Sequence, residues 1–206
     1  MNTIRSTLLP LAALLAVPAM AAETAPVRDN GFSYDYVEGF YFTQDWDGRF
    51  DVDGFGGRVS VALDEHFFAR GELSLFDGDT ESFLFDVDVD GWQIGVGGGF
   101  HTPAGDKADL VLTADLLLIN YDVDASRFSL GDDEDDIGVR LAGGARMHAG
   151  DKLELEGGLF LESVDESELG VYGGALVNLT EQMDLGAGLR LGTDLTELTL
   201  SARYNF

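Results

Sequence analysis

The residues of this chain that could take part in chemistry, judged by their type and spacing, are closely spaced carboxylates. The stretch Asp86-Val-Asp88-Val-Asp90-Gly91 resembles the opening of an EF-hand calcium loop, where oxygen ligands recur at every second position. The twelfth position of such a loop must supply a bidentate Glu, and that position is Gly97 here. Asp86, Asp88 and Asp90 are therefore only weak metal candidates. We expect no cofactor, and divalent cations at most as loosely bound ions.

The side chains needed for hydrolytic catalysis do not form a recognisable set. The three histidines, His66, His101 and His148, all fall at predicted turn ends, away from the acidic segments. The sequence contains no Gly-x-Ser-x-Gly nucleophile segment. It also contains no Cys, which excludes disulfides, iron–sulfur clusters and thiolate zinc sites. We therefore expect a protein that is not an enzyme.

The overall charge argues against one class of partner. At a net charge of −26, the chain would be repelled by phosphates, so we expect no nucleic-acid partner. The acidic residues concentrate in segments predicted as loops, at about 46–53, 77–89, 122–135 and 164–167. Arg49 and Arg127 are the only bases within those segments. Such segments favour a solvated surface that attracts cations.

The elements that must position these residues are β-strands with one apolar and one polar face. In the last segment, Leu200 and Tyr204 share the apolar face, while Glu197 and Arg203 share the polar one. This period of two is typical of a strand with two different environments. Ten such segments follow one another at about 31–45, 54–63, 66–76, 90–101, 109–121, 136–148, 152–163, 168–179, 184–193 and 196–206.

The connections between these segments alternate between short and long, as in an up-and-down meander. Outer-membrane barrels have short periplasmic turns and longer external loops. Both chain ends then fall on one side, which requires an even number of strands. We therefore predict an all-β fold, a ten-stranded antiparallel up-and-down transmembrane β-barrel, with eight strands as the alternative.

The distribution of charge between the two faces supports a membrane barrel. One face of strands two to ten carries no charged residue at all, and a Lys or Arg at the lipid midplane would cost about 2–4 kcal/mol. The opposite face carries Arg58, Arg70, Glu72, Asp115, Arg140, Arg146, Glu154, Glu156, Glu162, Arg190, Glu197 and Arg203. We expect Glu38 to join them, and we expect these charges to pair inside a closed lumen. A selective water-filled pathway is the alternative.

The N-terminus has the pattern of a secretory signal. Arg5 supplies the positive region, Leu8 to Val17 the apolar core, and Ala19-Met20-Ala21 a small-residue cleavage site. The apolar core is too short for a membrane-spanning helix, which needs roughly 20 residues. We expect a signal peptide at 1–21 and a single barrel domain at 22–206, with a retained anchor as the alternative.

Three short stretches resemble a known family. These are Tyr36-Val37-Glu38-Gly39, then Asp51-Val-Asp53-Gly54-Phe55-Gly56, and then Ser60-Val61-Ala62-Leu63 followed by Phe67-Phe68. They are similar to small outer-membrane barrels described as regulated by the diffusible signal factor of certain Gram-negative bacteria, and more broadly to OmpA/OmpX-type barrels. The close match covers about residues 33–76. The resemblance implies a surface barrel linked to signalling or virulence, with no assigned catalytic residues.

These observations lead to one expected function and two alternatives. We expect an integral outer-membrane protein that acts in envelope structure or surface interaction through acidic extracellular loops. A narrow cation-preferring channel is the first alternative, since acidic mouths concentrate cations. A soluble secreted ligand-binding barrel is the second. The expected partners are outer-membrane lipid, lipopolysaccharide and the barrel-assembly machinery, which would read an assembly signal at Leu200, Tyr204 and Phe206.

Overall fold

The chain forms a closed barrel of ten antiparallel strands, as predicted. The computed structural model describes residues 30–46, 51–81, 86–125, 132–164 and 167–206, so the predicted signal peptide at 1–21 lies outside the described residues. The strands are β1 (Tyr36–Trp46), β2 (Asp51–Ala62), β3 (Phe67–Glu81), β4 (Asp86–Pro103), β5 (Ala108–Ala125), β6 (Asp132–His148), β7 (Leu153–Ser163), β8 (Ser167–Asn178), β9 (Met183–Leu191) and β10 (Leu195–Asn205). Within this described part, no helix is long and apolar enough to cross a membrane.

Each strand pairs with the next one along the chain, and β1 pairs with β10 to close the barrel. Tyr36, the first residue of β1, lies opposite Asn205, the last residue of β10. We call this end of the barrel the terminal end. Its four connections, at 63–66, 104–107, 149–152 and 179–182, have four residues each. The opposite end, where β2 begins and β1 stops, is the loop end.

The alternation of residues along each strand gives the barrel an apolar outer face and an inner face that carries both polar and apolar side chains. Large apolar side chains are exposed on the outside, including Ile137 at 73%, Leu116 at 62% and Leu159 at 61%. Such an outer face suits a hydrocarbon environment rather than water. In β1, Tyr41 is exposed on the outside and Glu38 is buried inside, which is the orientation that we expected for that strand.

Four strands extend further at the loop end than the sequence analysis predicted. Residues 77–81, 86–89, 122–125 and 132–135 were predicted as loops, but they continue β3 to β6 as paired strands. The pairing continues because period-two alternation does not end at the lipid boundary. At the described outward positions of this region the residues are acidic rather than apolar, namely Asp77, Asp90, Asp122 and Asp135. Asp86, Asp88 and Asp90 consequently lie along β4 rather than in a loop.

The first strand is shorter than predicted, because residues 31–35 leave the barrel wall. The alternation of Phe32, Tyr34 and Tyr36 predicts a strand from residue 31, but β10 ends at Asn205, opposite Tyr36, so a longer β1 would have no strand partner on that side. Residues 30–35 turn instead into the terminal end of the barrel. The other predicted boundaries differ from the observed ones by at most three residues.

Several inward aromatic rings lie flat on a glycine of the neighbouring strand. A Cβ at Gly54 would sit 2.4 Å from Cζ of Phe42 and 2.6 Å from the carbonyl oxygen of Leu75. The same arrangement recurs for Phe40 on Gly56, Phe68 on Gly99 and Phe76 on Gly91. The absence of a side chain at these positions lets the rings pack against the wall.

We expect Gly54→Ala to destabilise the barrel by about 1–3 kcal/mol, the usual cost of overpacking a closed site. Gly39→Ala is the matched control, since a Cβ at Gly39 meets nothing within 4 Å. Equilibrium unfolding of both variants in lipid vesicles measures the difference. Equal free energies of unfolding for the two variants would contradict this packing account.

Candidate functional site

The lumen gathers the charged side chains of the inner face. All twelve residues predicted for that face lie inside the barrel, together with Glu38. They come from β1, β2, β3, β5, β6, β7, β9 and β10. The period of two along each strand accounts for their common direction, because residues two apart point to the same side of a sheet.

Eight of these residues form one continuous series of ion pairs, which we call the arginine–carboxylate chain. The N–O distances are 2.7 Å for Arg203–Glu38, 3.0 Å for Glu38–Arg58, 2.6 Å for Arg58–Glu72, 3.4 Å for Glu72–Arg140, 2.6 Å for Arg140–Glu162, 3.0 Å for Glu162–Arg190 and 3.1 Å for Arg190–Glu197. Four bases thus alternate with four acids, and the chain as a whole is neutral.

Strand register explains part of this chain and barrel geometry explains the rest. Glu38 lies directly opposite both Arg58 and Arg203 in the sheet, so those pairs follow from pairing neighbours. The Glu72–Arg140 pair joins β3 to β6 and passes over two intervening strands. Gly95 presents no side chain on the inner face of β4 and lies beside the Cβ of Glu72, which leaves space for this contact.

The other five predicted lumen residues form two separate pairs and one single carboxylate. Arg70 pairs with Asp115, and Arg146 pairs with Glu154 at 2.7 Å. Glu156 makes no direct ion pair with any residue that the structure describes. The sequence alone does not distinguish Glu156 from its neighbours, because all the inward glutamates share the same alternation.

Aromatic faces hold several of the guanidinium groups in place. The guanidinium carbon of Arg203 lies 4.0 Å from the ring centre of Tyr36, and that of Arg190 lies 4.2 Å from the ring centre of Phe160. Contacts of this kind contribute about 0.5–2 kcal/mol each. They restrict the arginines to positions against the wall, where their carboxylate partners also lie.

Residues 30–35 close the terminal end of the lumen, and we call this segment the floor. Phe32 and Tyr34 are both buried. The ring of Phe32 stacks on His148 with centres 4.2 Å apart, and the ring of Tyr34 stacks on His101 at 3.9 Å. His101 and His148 therefore support the floor, a role that the sequence analysis missed.

Polar contacts fix the floor to β5 and β6. The Tyr34 hydroxyl donates to Asp109 at 3.0 Å, and the Asn30 side-chain amide donates to the same carboxylate at 2.7 Å. Arg146 donates to the Ser33 carbonyl at 3.2 Å, and its guanidinium lies over the rings of Phe32 and Tyr34. Burial raises the pKa of Tyr34 above its ordinary value, so its hydroxyl remains a donor.

A cavity of about 990 Å³ occupies the lumen above the floor. At the loop end its wall includes Trp46, Val89 and Asp194, and at the terminal end it stops at Tyr34 and Phe68. The cavity therefore passes the arginine–carboxylate chain and ends on the floor. Among the described residues, no group of three or more His, Asp or Glu is arranged to hold a metal ion.

Comparisons with known proteins agree with this architecture. The sequence profile of the outer membrane protein beta-barrel domain matches residues 7–206. No curated protein matches the chain significantly.

Solved structures with the same fold have little sequence in common with this chain. The translocator domain of the autotransporter NalP from Neisseria meningitidis is 13% identical with a TM-score of 0.50, covering 95% of this chain and 94% of that one. The beta domain of the Bordetella autotransporter BrkA has the same identity and TM-score, covering 83% and 98%. The NanC porin is 10% identical with a TM-score of 0.49, covering 82% and 98%. At such low identity, the likeness to the first two shows the fold alone.

The profile match covers nearly the whole chain, and the described strands close a barrel with an apolar exterior. The alternative of a soluble secreted barrel does not fit that combination. This chain belongs to the family of outer membrane protein beta-barrel domains.

Proposed function

We propose that this protein is a surface barrel of the outer membrane that neither conducts ions nor catalyses a reaction, and that acts in envelope structure or surface contacts. The closed floor carries the proposal. Buried Phe32 and Tyr34 stand between the lumen cavity and the terminal end, which faces the periplasm in this orientation. His101 and His148 stack on the rings of the floor, and this structural role supports the proposal that the protein is not an enzyme.

The loop end supplies the surface through which we propose that it acts. Asp53, Asp77, Asp90 and Asp122 lie directly opposite one another on β2, β3, β4 and β5, and all four are exposed. We call these four residues the aspartate row. Like charges directly opposite are unfavourable in a sheet, so loosely bound divalent cations would relieve the repulsion. Lipopolysaccharide is the partner that we propose there, because its anionic groups share those cations.

The C-terminal strand supports one further partner. Leu200 and Tyr204 are exposed on the outer face, at 55% and 40%, and Phe206 lies two residues after Tyr204. This is the side from which the barrel-assembly machinery would approach the last strand. We propose that these three residues form the signal that it reads.

A narrow cation-preferring channel is the second candidate, and one observation favours it. The cavity is continuous from the loop end past the arginine–carboxylate chain, so only the floor separates it from the other side. If the floor moved aside in the membrane, the acidic loop end would concentrate cations at the entrance.

Single-channel recording in a planar bilayer separates the two candidates. We expect refolded protein that shows a heat-dependent shift in gel mobility to give no current steps across the usual voltage range. Discrete steps with a cation-selective reversal potential would reject the sealed barrel and favour the channel. A porin refolded in the same lipid is the positive control.

A further inference from the structure

The part of the cavity between the arginine–carboxylate chain and the loop end, which we call the vestibule, is unusually apolar for a barrel interior. Its wall includes Trp46, Val52, Phe76, Ile119, Val164 and Leu195. The lumens of membrane barrels are ordinarily polar because they hold water. Trp46, Phe76, Ile119 and Val164 are only partly buried, so these apolar surfaces remain open to the cavity.

The rim of the vestibule is acidic. Asp136, Glu168 and Asp194 line the cavity at the loop end, and the Glu168 carboxylate accepts the backbone N–H of Asp194 at 3.1 Å. Every Lys and Arg that the structure describes lies either in the lumen ion pairs or in the turns of the terminal end. None of the three rim carboxylates makes an ion pair with a described Lys or Arg, although Glu168 lies directly opposite Glu162 of the arginine–carboxylate chain.

The arginine–carboxylate chain beneath the vestibule is electrically balanced. A ligand resting on it would meet neutral pairs of guanidinium and carboxylate rather than an excess of either charge. The charge preference of the vestibule is accordingly set by the rim. The vestibule is part of a cavity of about 990 Å³, and pockets that hold small organic molecules measure about 300–1,000 Å³.

We propose that the vestibule binds a small organic cation with an apolar body, which enters from the loop end. The body packs against the aromatic and aliphatic wall, and the ammonium group lies at the rim beside Asp136, Glu168 and Asp194. This binding function goes beyond the proposed surface role. The ligand enters and leaves through the same opening because the floor closes the other end.

The two tryptophans of the chain provide a direct assay. Trp46 lines the vestibule, while Trp92 lies on the outer face of β4, opposite to the inward Gln93. In a Trp92→Phe background, Trp46 is the only tryptophan and reports on the vestibule. The protein is refolded into zwitterionic vesicles and titrated with cyclohexylmethylammonium. Two further compounds are titrated in the same way: cyclohexylacetate, an anion with a similar apolar body, and methylammonium, a cation without an apolar body.

We expect a saturable change in Trp46 emission with cyclohexylmethylammonium, and at least about tenfold weaker binding of the two other probes. Asp136→Asn should weaken binding of the cation about fivefold at low salt, the order of magnitude of a partly exposed ion pair. Ile119→Thr should also weaken binding of the cation, because it reduces the apolar contact with the body of the ligand. It should leave the salt dependence of binding unchanged.

Asp151→Asn is the matched control, because it removes the same charge from an exposed turn at the terminal end. Equal binding of the cation and the anion would overturn the proposal, and so would equal effects of Asp136→Asn and Asp151→Asn. The absence of saturable emission and of saturable heat in a calorimetric titration would also overturn it. Current through the bilayer is a separate measurement, so failure of this proposal and failure of the sealed barrel are distinguishable.

Discussion

Replacing Phe32 and Tyr34 together by Ala should give discrete current steps in a bilayer where the parent protein gives none. The two rings are the buried part of the floor, and the cavity already extends down to Tyr34. Removing both rings eliminates the stacks on His148 and His101 and the hydrogen bond to Asp109. The lumen would then connect both ends of the barrel, and the acidic loop end should make the current prefer cations.

The control for this experiment removes similar side chains from the outside. Tyr41 and Phe55 are exposed at 47% and 59% on the outer face, so their joint replacement by Ala leaves the floor intact and should keep the barrel silent. Heat-dependent gel mobility verifies that each variant is folded. If the protein with Phe32 and Tyr34 replaced by Ala is folded but gives no current, the arginine–carboxylate chain seals the lumen by itself.

Glu38→Gln should lower the free energy of unfolding by about 3–5 kcal/mol, the usual cost of breaking a buried ion pair from one side. Glu38 is 4% exposed and accepts from Arg58 at 3.0 Å and from Arg203 at 2.8 Å. Its removal leaves the buried guanidinium of Arg203 and the partly buried guanidinium of Arg58 short of one carboxylate, at the position where β1 joins β2 and β10.

Glu156→Gln is the matched control, because it neutralises an inward glutamate that has no direct ion pair with a described residue. We expect a change of less than about 1 kcal/mol. Denaturant unfolding in phospholipid vesicles, followed by tryptophan emission and gel mobility, measures both variants. Similar losses for the two would mean that total lumen charge, rather than pairing, determines stability.

The sequence predicts the barrel well because lipid imposes a simple rule on it. An outward charge is costly along the whole membrane-facing band, so the alternation of residues such as Leu200 and Tyr204 marks strands and faces together. The same rule places Glu38 and its partners inside. The rule does not apply above the lipid, where Asp77 and Asp122 face outward in paired strands although the sequence analysis predicted them as loop residues.

The closure of the lumen could not be predicted in the same way. Phe32 and Tyr34 continue the alternation of β1, but they leave the barrel wall where β10 no longer provides a partner. The contact between Glu72 and Arg140 depends on the width of the barrel and on the relative shift of strands that are not neighbours. Neither quantity is encoded in local periodicity.

The order of strands also has a consequence for the kinetics of folding. Nine of the ten pairings join strands that follow each other along the chain, and only β1 with β10 joins residues from opposite ends of it. Contacts between nearby residues form quickly, while distant ones must first overcome loop-closure entropy. The seam between β1 and β10 is therefore the slow, late step.

Asp35 links that late step to the sealing of the lumen. Its carboxylate accepts the backbone N–H of Ala62 at 2.8 Å, and its carbonyl accepts the N–H of Phe206 at 3.2 Å. The floor joins β1 at this residue, so its contact with Phe206 forms only when β10 has reached β1. An unfinished barrel would thus have an open slit along its side together with a loose floor, and both would close in one event.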